Sequence, residues 1–215
     1  MLYLNRYDAA LKLIPLLYKY KNSDCVVLAI PRGGVPIGYY IAKKFHFQMD
    51  LLLTKKIGHP LNSEVAIGAV SLEDEIVESY PYIPQEYINK EIIEIRTELK
   101  QYFKKFMGNR RPVNLKNKTV IIVDDGIATG NTLLSAIQMI QNKSPKKIVV
   151  VVPVSPFDSS EIIKKQVDEF ICPHILTDFS GVGSYYFNFS QVSDDEVIKL
   201  IHEIDTIENK TVTIQ

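Results

Sequence analysis

The chain contains 215 residues, of which 46% are hydrophobic and 23% are charged, so it is long enough for one globular domain with a sizeable core. Lys and Arg total 25 and Asp and Glu also total 25, a balance that excludes a global positive field for attracting nucleic acid. Two cysteines, Cys25 and Cys172, fall in apolar runs that look like strands, which favours free thiols in a reducing compartment over a disulfide.

The sequence shows no recognisable targeting or membrane-spanning segment. No apolar run reaches the length needed to cross a bilayer, and the N-terminus lacks the anatomy of a signal peptide. The four histidines show no metal-ligand spacing with Cys or Asp, which argues against a zinc site built by the protein. We therefore expect a cytoplasmic protein with no membrane partner.

The first predicted element is an amphipathic helix over residues 5–20, whose apolar residues recur at helical spacing. Asn5 and Asp8 can cap its start. Pro15 has no backbone N–H and clashes with the preceding turn, so we predict that it kinks or divides this helix.

A unit of strand, glycine loop and helix follows. Residues 25–30 are continuously apolar, as expected of a buried strand, and they lead into residues 31–34 (Pro-Arg-Gly-Gly) and a predicted helix over about residues 35–45. The glycines let the backbone approach a ligand closely, and the forked guanidinium of Arg32 suits phosphate oxygens. The alternative interpretation is a tight turn with an exposed arginine.

A third strand is predicted over residues 50–57, ending in Lys55 and Lys56. Ligands of parallel α/β sheets gather at the carboxyl ends of the strands. We therefore expect both lysines to lie at the same edge of the core sheet as Arg32. The alternative is that they form a solvated strand end.

Residues 58–118 are far more than a connection between two core strands requires, so we predict that this segment has structure and function of its own. Residues 59–71 and 75–78 have the pattern of a hairpin. Glu64 precedes an apolar run in this hairpin, and it is either a candidate catalytic acid or an ordinary surface residue.

A long amphipathic helix is predicted over about residues 84–107. Its apolar face must cover the core sheet, a hood over a functional site, or a second subunit. Basic residues are concentrated between Lys100 and Lys118, a pattern that is usual for a solvated face.

The most informative stretch is residues 120–133, where four apolar residues end in Asp124 and Asp125 and a Gly/Thr-rich turn leads into a helical pattern. Unpaired N–H groups and the positive end of the helix dipole meet at such a turn, so it receives a phosphate well. Thr129 and Thr132 add hydroxyl donors. Two carboxylates repel phosphate but accept hydrogen bonds from hydroxyls, so the stretch predicts a site for a ribose 5-phosphate.

Two other phosphate-binding motifs do not fit this stretch. A Walker A loop has four residues between its glycines and then a lysine, whereas three residues separate Gly126 from Gly130 and Asn131 follows. The dinucleotide fingerprint G-x-G-x-x-G after a strand is absent from the sequence. The remaining alternative is an ordinary strand-to-helix turn in which Asp and Thr act only as caps.

The C-terminal part continues the alternation of strands and helices. Strands are predicted over residues 146–154 and 167–173, with a helix near residues 159–166 between them. The alternation predicts an α/β fold, with a mostly parallel twisted sheet flanked by helices. A final helix begins at Ser193 with a capping box.

Aromatic residues and glycines are concentrated between residues 179 and 189. Tyr185 and Tyr186 in this segment are candidates for stacking on a flat heterocycle, which would make them base-binding residues. The alternative interpretation is that these rings close the core beneath the final helix.

Residues 120–133 resemble the motif with which the type I phosphoribosyltransferases bind phosphoribosyl pyrophosphate (PRPP), and residues 31–34 resemble the pyrophosphate loop of that family. Two positions depart from the family pattern. Gly126 stands where an aliphatic residue is usual, and Ala128 replaces the acid with which the 6-oxopurine enzymes handle the base. The resemblance therefore disfavours hypoxanthine or guanine as the acceptor.

The wider chain is similar to a group of bacterial phosphoribosyltransferase-domain proteins from residue 26 to about residue 200. The shared marks are residues 30–36 (IPRGGVP), 56–60 (KIGHP), 66–70 (AIGAV), 110–112 (RRP) and 191–194 (QVSD). This similarity implies the type I phosphoribosyltransferase fold in a single domain over residues 1–215, with an inserted lid and helix at about residues 58–118. It does not name the acceptor.

The resemblance implies an enzyme that transfers the phosphoribosyl group of PRPP to a nitrogenous acceptor, such as a nucleobase, with release of pyrophosphate. Mg²⁺ is the implied cofactor, bridging the pyrophosphate and the ribose hydroxyls, with Asp124 and Asp125 as its candidate protein ligands. The residues implied are Asp124 and Asp125 for the ribose hydroxyls, Ala128, Thr129, Gly130, Asn131 and Thr132 for the 5-phosphate, and Arg32, Gly33, Gly34 and Lys56 for the pyrophosphate. Of these, Asp124, Asp125, Arg32 and Lys56 form the implied catalytic set.

The expected partners are PRPP, a small-molecule acceptor and a second copy of the chain in a homodimer. The main alternative is a PRPP-sensing regulator that binds nucleic acid or a protein through the basic residues 100–118 without turnover. A third class is a scaffold that keeps the pocket but has lost the chemistry. PRPP binding without turnover would favour the regulator, and absence of PRPP binding would favour the scaffold.

Overall fold

The structure is a computed structural model that describes residues 1–78 and 80–212, with the backbone alone for Glu64 and residues 207–212. The prediction for the Glu64 side chain therefore lies outside the described residues. Within the described residues the α-helices are α1 (Arg6–Leu13), α2 (Gly34–Phe45), α3 (Gln85–Met107), α4 (Asn131–Gln141), α5 (Phe157–Lys164) and α6 (Asp194–Val212). The strands are β1 (Cys25–Ala29), β2 (Gln48–Leu51), β3 (Thr54–His59), β4 (Asn62–Ser71), β5 (Glu75–Val77), β6 (Thr119–Val123), β7 (Lys147–Val151), β8 (Val154–Pro156), β9 (Glu169–Ile171) and β10 (His174–Leu176).

A five-stranded parallel sheet in the order β2-β1-β6-β7-β9 forms the centre of the fold. The register pairs Ala29 with Val123 and Val123 with Val151, so the three central strands end at one edge of the sheet. The predicted α/β fold with a mostly parallel sheet flanked by helices is confirmed. The residues that follow β1 and β6 are consequently neighbours at this edge.

Side chains of the central strands alternate between two apolar cores, which is why these strands are apolar throughout rather than alternating with polar residues. Val27 and Ile121 face the core shared with α1, α2, α3 and α6. Val26 and Ile122 face the core shared with α4. Helices therefore cover both faces of the sheet.

The prediction of one strand over residues 50–57 is wrong. The core strand β2 ends at Leu51, and the chain enters a separate three-stranded antiparallel sheet at Thr54, in the order β3-β4-β5. Asp50, which is 3% exposed, accepts hydrogen bonds from Leu51 N (2.7 Å) and Val113 N (2.8 Å). It thus joins the end of β2 to the chain that leads into β6.

The three-stranded sheet and α3 make up most of the segment that the sequence marked as an insertion. The hairpin prediction holds for β4 and β5, and β3 adds a third strand. The sheet packs against α3 on one side and α4 on the other. Lys143, just after the end of α4, forms ion pairs with Glu73 (2.8 Å) and Asp74 (2.7 Å) in the turn between β4 and β5.

The N-terminal prediction is confirmed in its main features. The Asp8 N–H donates to Asn5 Oδ1 at 3.0 Å and caps α1. The α-helix ends at Leu13, and a 3₁₀ helix (Ile14–Tyr20) containing Pro15 follows, as expected from a proline that cannot continue the hydrogen-bond ladder.

The C-terminal part differs from its prediction in one respect. The predicted strand over residues 146–154 is divided, because β7 ends at Val151 and β8 pairs with β10 in a small parallel sheet of its own. The Glu196 N–H donates to Ser193 Oγ at 3.1 Å, which forms one half of the predicted capping box. Both cysteines are free thiols. Among the described residues, no helix combines the length and the apolar character needed to cross a membrane.

Candidate active site

The acid pair lies at the centre of the sheet edge, directly after β6 and between the ends of β1 and β7. Asp124 is partly exposed and its Oδ1 accepts a hydrogen bond from the Asp125 N–H at 2.8 Å. Burial, followed by the charge of Asp125, raises the pKa of Asp124 well above its usual value. Burial also raises the pKa of Asp125, against the opposing effect of Arg6. The site therefore holds two neighbouring carboxyl groups whose charged forms lack full hydration.

Arg6, at the start of α1, forms an ion pair with Asp125. Its Nε and Nη2 lie 2.8 Å and 2.7 Å from the same oxygen, Oδ2 of Asp125. The guanidinium lies over the ring of Phe189 at 4.1 Å from the centroid, and Nη1 donates to the Ser190 carbonyl at 2.8 Å. The sequence analysis did not single out Arg6, because nothing local connects it with an acid 119 residues further on.

The glycine loop of residues 31–34 lies directly against the acid pair. A Cβ added at Gly33 would be 2.0 Å from Asp125 Oδ2, and one added at Gly34 would be 2.4 Å from the Val123 carbonyl oxygen. A side chain at position 33 would require the Asp125 side chain to move, and one at position 34 would require the backbone to shift. The peptide bond between Pro31 and Arg32 is cis. The two loops that resemble PRPP-binding loops are therefore in contact with each other.

The third part of the edge is the turn that begins α4. Gly130 takes the N-cap position with a φ of 76°, and the residues around it, Ala128, Thr129, Asn131 and Thr132, are exposed. The first N–H groups of a helix have no acceptor within the helix, and glycine has no side chain that could accept from them. The Ala128 carbonyl accepts a hydrogen bond from Ser159 Oγ at 2.8 Å, which ties the turn to α5.

Gly126 is one of the two positions that depart from the family pattern, and packing explains why a glycine stands there. A Cβ at this position would lie 2.6 Å from Val182 Cγ1 and 2.9 Å from Val154 Cγ2. The side chain of Val182 thus occupies the space that an aliphatic residue at position 126 would need. The next residue, Ile127, donates its N–H to the Val154 carbonyl at 3.0 Å, so the turn is held to β8.

Arg32 is engaged by an acid in the structure. Its Nη1 lies 3.3 Å from Oδ1 of Asp194, and Lys105 Nζ lies 2.5 Å from Oδ2 of the same carboxylate. The hydrogen bond from Lys105, with the charges of both cations, lowers the pKa of Asp194. Two cations from different elements therefore converge on one carboxylate beside the glycine loop.

Two of the sequence-based expectations need correction. Lys55 and Lys56 lie in β3, outside the core sheet, and Lys55 pairs with Glu98 of α3 at 2.6 Å. Tyr186 is 2% exposed and its hydroxyl donates to the Asp125 carbonyl at 2.7 Å, so its ring belongs to the core and offers no free face for stacking. Tyr185 is partly exposed, and its role in binding a base stays a prediction.

The described residues contain no group of three or more His, Cys, Asp or Glu side chains that could hold a metal ion. The acid pair does suit a Mg²⁺ ion that takes most of its ligands from a phosphorylated substrate and water. A cavity of about 320 Å³ lies elsewhere, between α4, residues 50–54 and the turn between β4 and β5, and it shares no residue with the acid pair or the two loops.

Comparison with known proteins gives three results. The family model described as a phosphoribosyl transferase domain matches residues 5–188. The protein Rv0571c of Mycobacterium tuberculosis strain H37Rv, and its counterpart in strain CDC 1551, are 32% identical over 203 residues, which is 92% of this chain and 46% of the relative. Both have the provisional name phosphoribosyl transferase. The crystal structure of TT1426 from Thermus thermophilus has a TM-score of 0.85 and 30% identity, covering 94% of this chain and 99% of that one.

The extent of these matches differs. The chain spans about half the length of the curated relatives that it matches (46%), whereas it spans 99% of TT1426. The match to TT1426 extends over nearly the whole of both chains.

Proposed function

Since the chain belongs to the family of phosphoribosyl transferase domains, we propose that it transfers the phosphoribosyl group of PRPP to a nitrogenous acceptor and releases pyrophosphate. The observation that supports this most is the arrangement at the sheet edge. An acid pair lies between a glycine loop with an arginine and the exposed start of a helix. A ribose with a phosphate at one end and a pyrophosphate at the other matches that order of groups.

The 5-phosphate is assigned to the start of α4. A phosphate there meets unpaired N–H groups, the positive end of the helix dipole and the exposed hydroxyls of Thr129 and Thr132. Gly130 keeps the approach open because it has no side chain at the N-cap. A nearby carboxylate would repel the phosphate, and the acid pair lies before the turn, on the side toward β6.

The ribose hydroxyls are assigned to Asp124 and Asp125. Carboxylates accept strong hydrogen bonds from hydroxyls, and a charged acceptor makes such a bond about twice as strong as a neutral one. Partly buried acids also have few waters to lose when the sugar binds. Mg²⁺, when bound, would neutralise charge on the pyrophosphate, and Asp124 and Asp125 are the side chains placed to share it.

The pyrophosphate is assigned to the 31–34 loop. Gly33 and Gly34 bring the loop backbone against the acid pair, and Arg32 supplies a forked donor for phosphate oxygens. Lys56 lies in the lid sheet β3-β4-β5, so its proposed contact with pyrophosphate requires that sheet to close over the ligand. Closure would also exclude water, which otherwise competes as acceptor.

In the proposed reaction an acceptor nitrogen forms a bond to the anomeric carbon while the bond to the pyrophosphate oxygen breaks. Positive charge develops on the sugar ring in the transition state. The acid pair stabilises that charge electrostatically and holds the sugar by its hydroxyls, while the arginine and the loop amides bind the departing anion. The protein contributes position and charge more than proton transfer.

For the alternative, a regulator that binds nucleic acid through residues 100–118, three of the seven basic residues in that segment are already paired with acids. Lys105 pairs with Asp194, Arg110 with Asp205 and Lys118 with Asp24. Cations that are paired with acids contribute less to a positive surface than free ones. The expected homodimer and the cytoplasmic location stay predictions.

The proposal is tested by measuring pyrophosphate release from PRPP with Mg²⁺ and a panel of nitrogenous bases. We expect release to depend on one or a few of the bases and to fall at least about 100-fold in Asp125→Ala, because an acceptor that strengthens its bond in the transition state is lost. Asp24→Ala removes an exposed acid just before β1, at the opposite end of that strand from the 31–34 loop, and should leave release unchanged. Release that is equal in the wild type and Asp125→Ala would count against the proposed site.

A further inference from the structure

The ion pair between Arg6 and Asp125 joins the acid pair to the N-terminal helix. Both side chains are largely buried, with 11% and 12% of their surfaces exposed. An ion pair in such a place is costly to form unless its geometry is good and further hydrogen bonds are made. Here the guanidinium also donates to Ser190 and lies on the Phe189 ring, so its position is fixed from three sides.

We propose that Arg6 is a positioning residue of the active site, which holds Oδ2 of Asp125 and thereby orients Oδ1 to accept a hydrogen bond from a ribose hydroxyl. The inference rests on the proposed function and adds the N-terminal helix to the sugar site. No local motif marks this role, since Arg6 reaches the acid pair only through the tertiary fold.

The two carboxylate oxygens of Asp125 differ in how closely other protein groups surround them. Arg6 Nε donates to Oδ2 and Nη2 lies 2.7 Å from the same oxygen, and the backbone of Gly33 lies so close to Oδ2 that a Cβ there would be at 2.0 Å. Oδ2 is thus occupied by the protein itself. The same Cβ would lie farther, at 2.9 Å, from Oδ1, so Oδ1 is the less enclosed of the two oxygens and the one assigned to a sugar hydroxyl.

Several contacts hold Arg6 in place. The cap that Asn5 provides to α1 fixes the residue before it, and α1 packs on α2, which follows the glycine loop. The Tyr186 hydroxyl donates to the Asp125 carbonyl, so the backbone of Asp125 is held as well as its side chain. Side chain and backbone of the acid are therefore both fixed before any sugar binds, which lowers the entropy lost on binding.

A purely structural role for Arg6 is the competing account. In that account Arg6 fastens α1 and the segment around Ser190 to the core and does not affect sugar recognition. Loss of Arg6 lowers stability in either account, so a stability measurement does not separate them. The two accounts are separated by measuring how binding depends on each ribose hydroxyl. Only an oriented carboxylate distinguishes a hydroxyl from a hydrogen atom at that position.

The test compares dissociation constants of ribose 5-phosphate and its 2-deoxy and 3-deoxy analogues, measured by calorimetry. All three probes share the phosphate, so the contribution of the α4 turn to affinity cancels when their dissociation constants are compared. A hydrogen bond to a charged group corresponds to a preference of about 10- to 100-fold, and we expect the wild type to prefer ribose 5-phosphate over at least one analogue by that factor. Arg6→Gln should reduce this preference to about threefold or less, and Arg6→Lys should restore part of it.

Two further variants keep the test decisive. Arg110→Gln removes an arginine that pairs with Asp205 away from the acid pair, and the preference should stay at its wild-type value. Phe189→Leu removes the aromatic face under Arg6 without changing charge, and should lower the preference about two- to fivefold. Phe189→Leu decides the matter if Arg6→Gln does not fold.

An unchanged preference in Arg6→Gln, or in Phe189→Leu where that variant decides, overturns the role of Arg6 and leaves the proposed function standing. A wild type that binds neither PRPP nor ribose 5-phosphate overturns the proposed function, and the role of Arg6 falls with it.

Discussion

At the scale of single residues, Gly34 shows how tightly the 31–34 loop is held to β6. A methyl group at this position would lie 2.4 Å from the Val123 carbonyl oxygen and 2.9 Å from Asp124 Cα, both of them backbone atoms that cannot rotate away. The loop must therefore move if any side chain is introduced. Because the loop and the acid pair touch, such a movement changes the geometry of both.

Gly34→Ala is accordingly expected to destabilise the protein by about 1–3 kcal/mol, the usual cost of overpacking, and to weaken PRPP binding. Thermal unfolding and calorimetry measure the two effects. Gly108→Ala is the control, because Gly108 has a φ of 61° but no heavy atom within 4 Å of an added Cβ. The control should lose stability by a comparable amount without losing affinity. Equal PRPP affinity in Gly34→Ala and the wild type would contradict the close contact.

Asp194 holds Arg32, the cation assigned to pyrophosphate, together with Lys105. Arg32 and Lys105 share its carboxylate, and the three side chains are partly exposed, so the arrangement is one that an anionic ligand can displace. Asp194→Asn removes the competitor, and we expect pyrophosphate to bind several-fold more tightly to this variant, as measured by calorimetry at low salt.

The control for Asp194→Asn is Asp195→Asn, which removes an equal charge from the next residue. A gain in pyrophosphate affinity that is the same in both variants would mean that only net charge matters. A loss of affinity in Asp194→Asn would mean that Asp194 supports the site instead of competing for Arg32.

Local patterns revealed some of these residues and not others. The acid pair directly follows a strand, and each of the two loops leads directly into a helix. Their positions could therefore be predicted from the order of elements. Arg6 and Asp194 act through partners 119 and 162 residues away. Tyr186 lies in a segment rich in aromatic residues, which suggested stacking on a ligand. Its ring instead packs against Tyr3 and Phe189, which the fold brings to it.

At the scale of elements, the junction between β2 and β3 separates the core sheet from the sheet β3-β4-β5. Continuous apolar character over residues 51–53 made one strand plausible, and period alone cannot tell a long strand from two short ones. β2 ends at Leu51, level with the end of its partner β1 at Ala29, and Asp50 there accepts hydrogen bonds from the N–H groups of Leu51 and Val113. The contact with Val113 joins Asp50 to a segment more than 60 residues further along the chain, which a local pattern does not reveal.

Asp50→Ala should therefore weaken the attachment of the β2 end to the chain entering β6. The buried N–H of Leu51 loses its acceptor at about 1–3 kcal/mol and the partly buried N–H of Val113 at about 1 kcal/mol, so we expect a loss of about 2–4 kcal/mol in the free energy of unfolding, measured with urea. Asp24→Ala, at an exposed acid that pairs with Lys118, should cost less than about 1 kcal/mol. A loss in Asp50→Ala no larger than in Asp24→Ala would contradict the role of Asp50.

At the scale of the whole molecule, the order of strands and helices was the best-predicted feature, since an alternation of buried strands and amphipathic helices leaves few arrangements open. The small sheet of β8 and β10 was missed because three-residue strands have too little pattern to be recognised. The acid pair lies at the centre of the sheet edge, where its carboxyl groups are partly removed from water, and its charge opposes folding.

This opposition predicts a pH dependence of stability. The pKa of Asp124 is raised, mainly by burial, so its contribution to folding is favourable below the pKa of the unfolded chain and is lost as the pH rises through the folded value. Asp124→Asn does not titrate at this position. We therefore expect the stability of Asp124→Asn relative to the unliganded wild type to increase as the pH rises from about 4, measured by urea unfolding at a series of pH values.

Asp194→Asn provides the comparison of opposite sign. The pKa of Asp194 is lowered by the hydrogen bond from Lys105, so the stabilising contribution of this acid is present above its unfolded pKa and is lost as the pH falls. This variant should lose stability relative to the wild type as the pH rises. A difference between Asp124→Asn and the wild type that does not change with pH would contradict the burial of charge at the acid pair.

The most direct measurement for the whole account is calorimetric titration of PRPP with Mg²⁺ into the unmodified protein and into Asp124→Asn. We expect saturable binding by the wild type and a loss of at least about tenfold in affinity in the variant, since one charged acceptor of the ribose hydroxyls is removed. Absence of binding to the wild type, or equal affinity of the two proteins, would contradict a sugar-phosphate site at the end of β6.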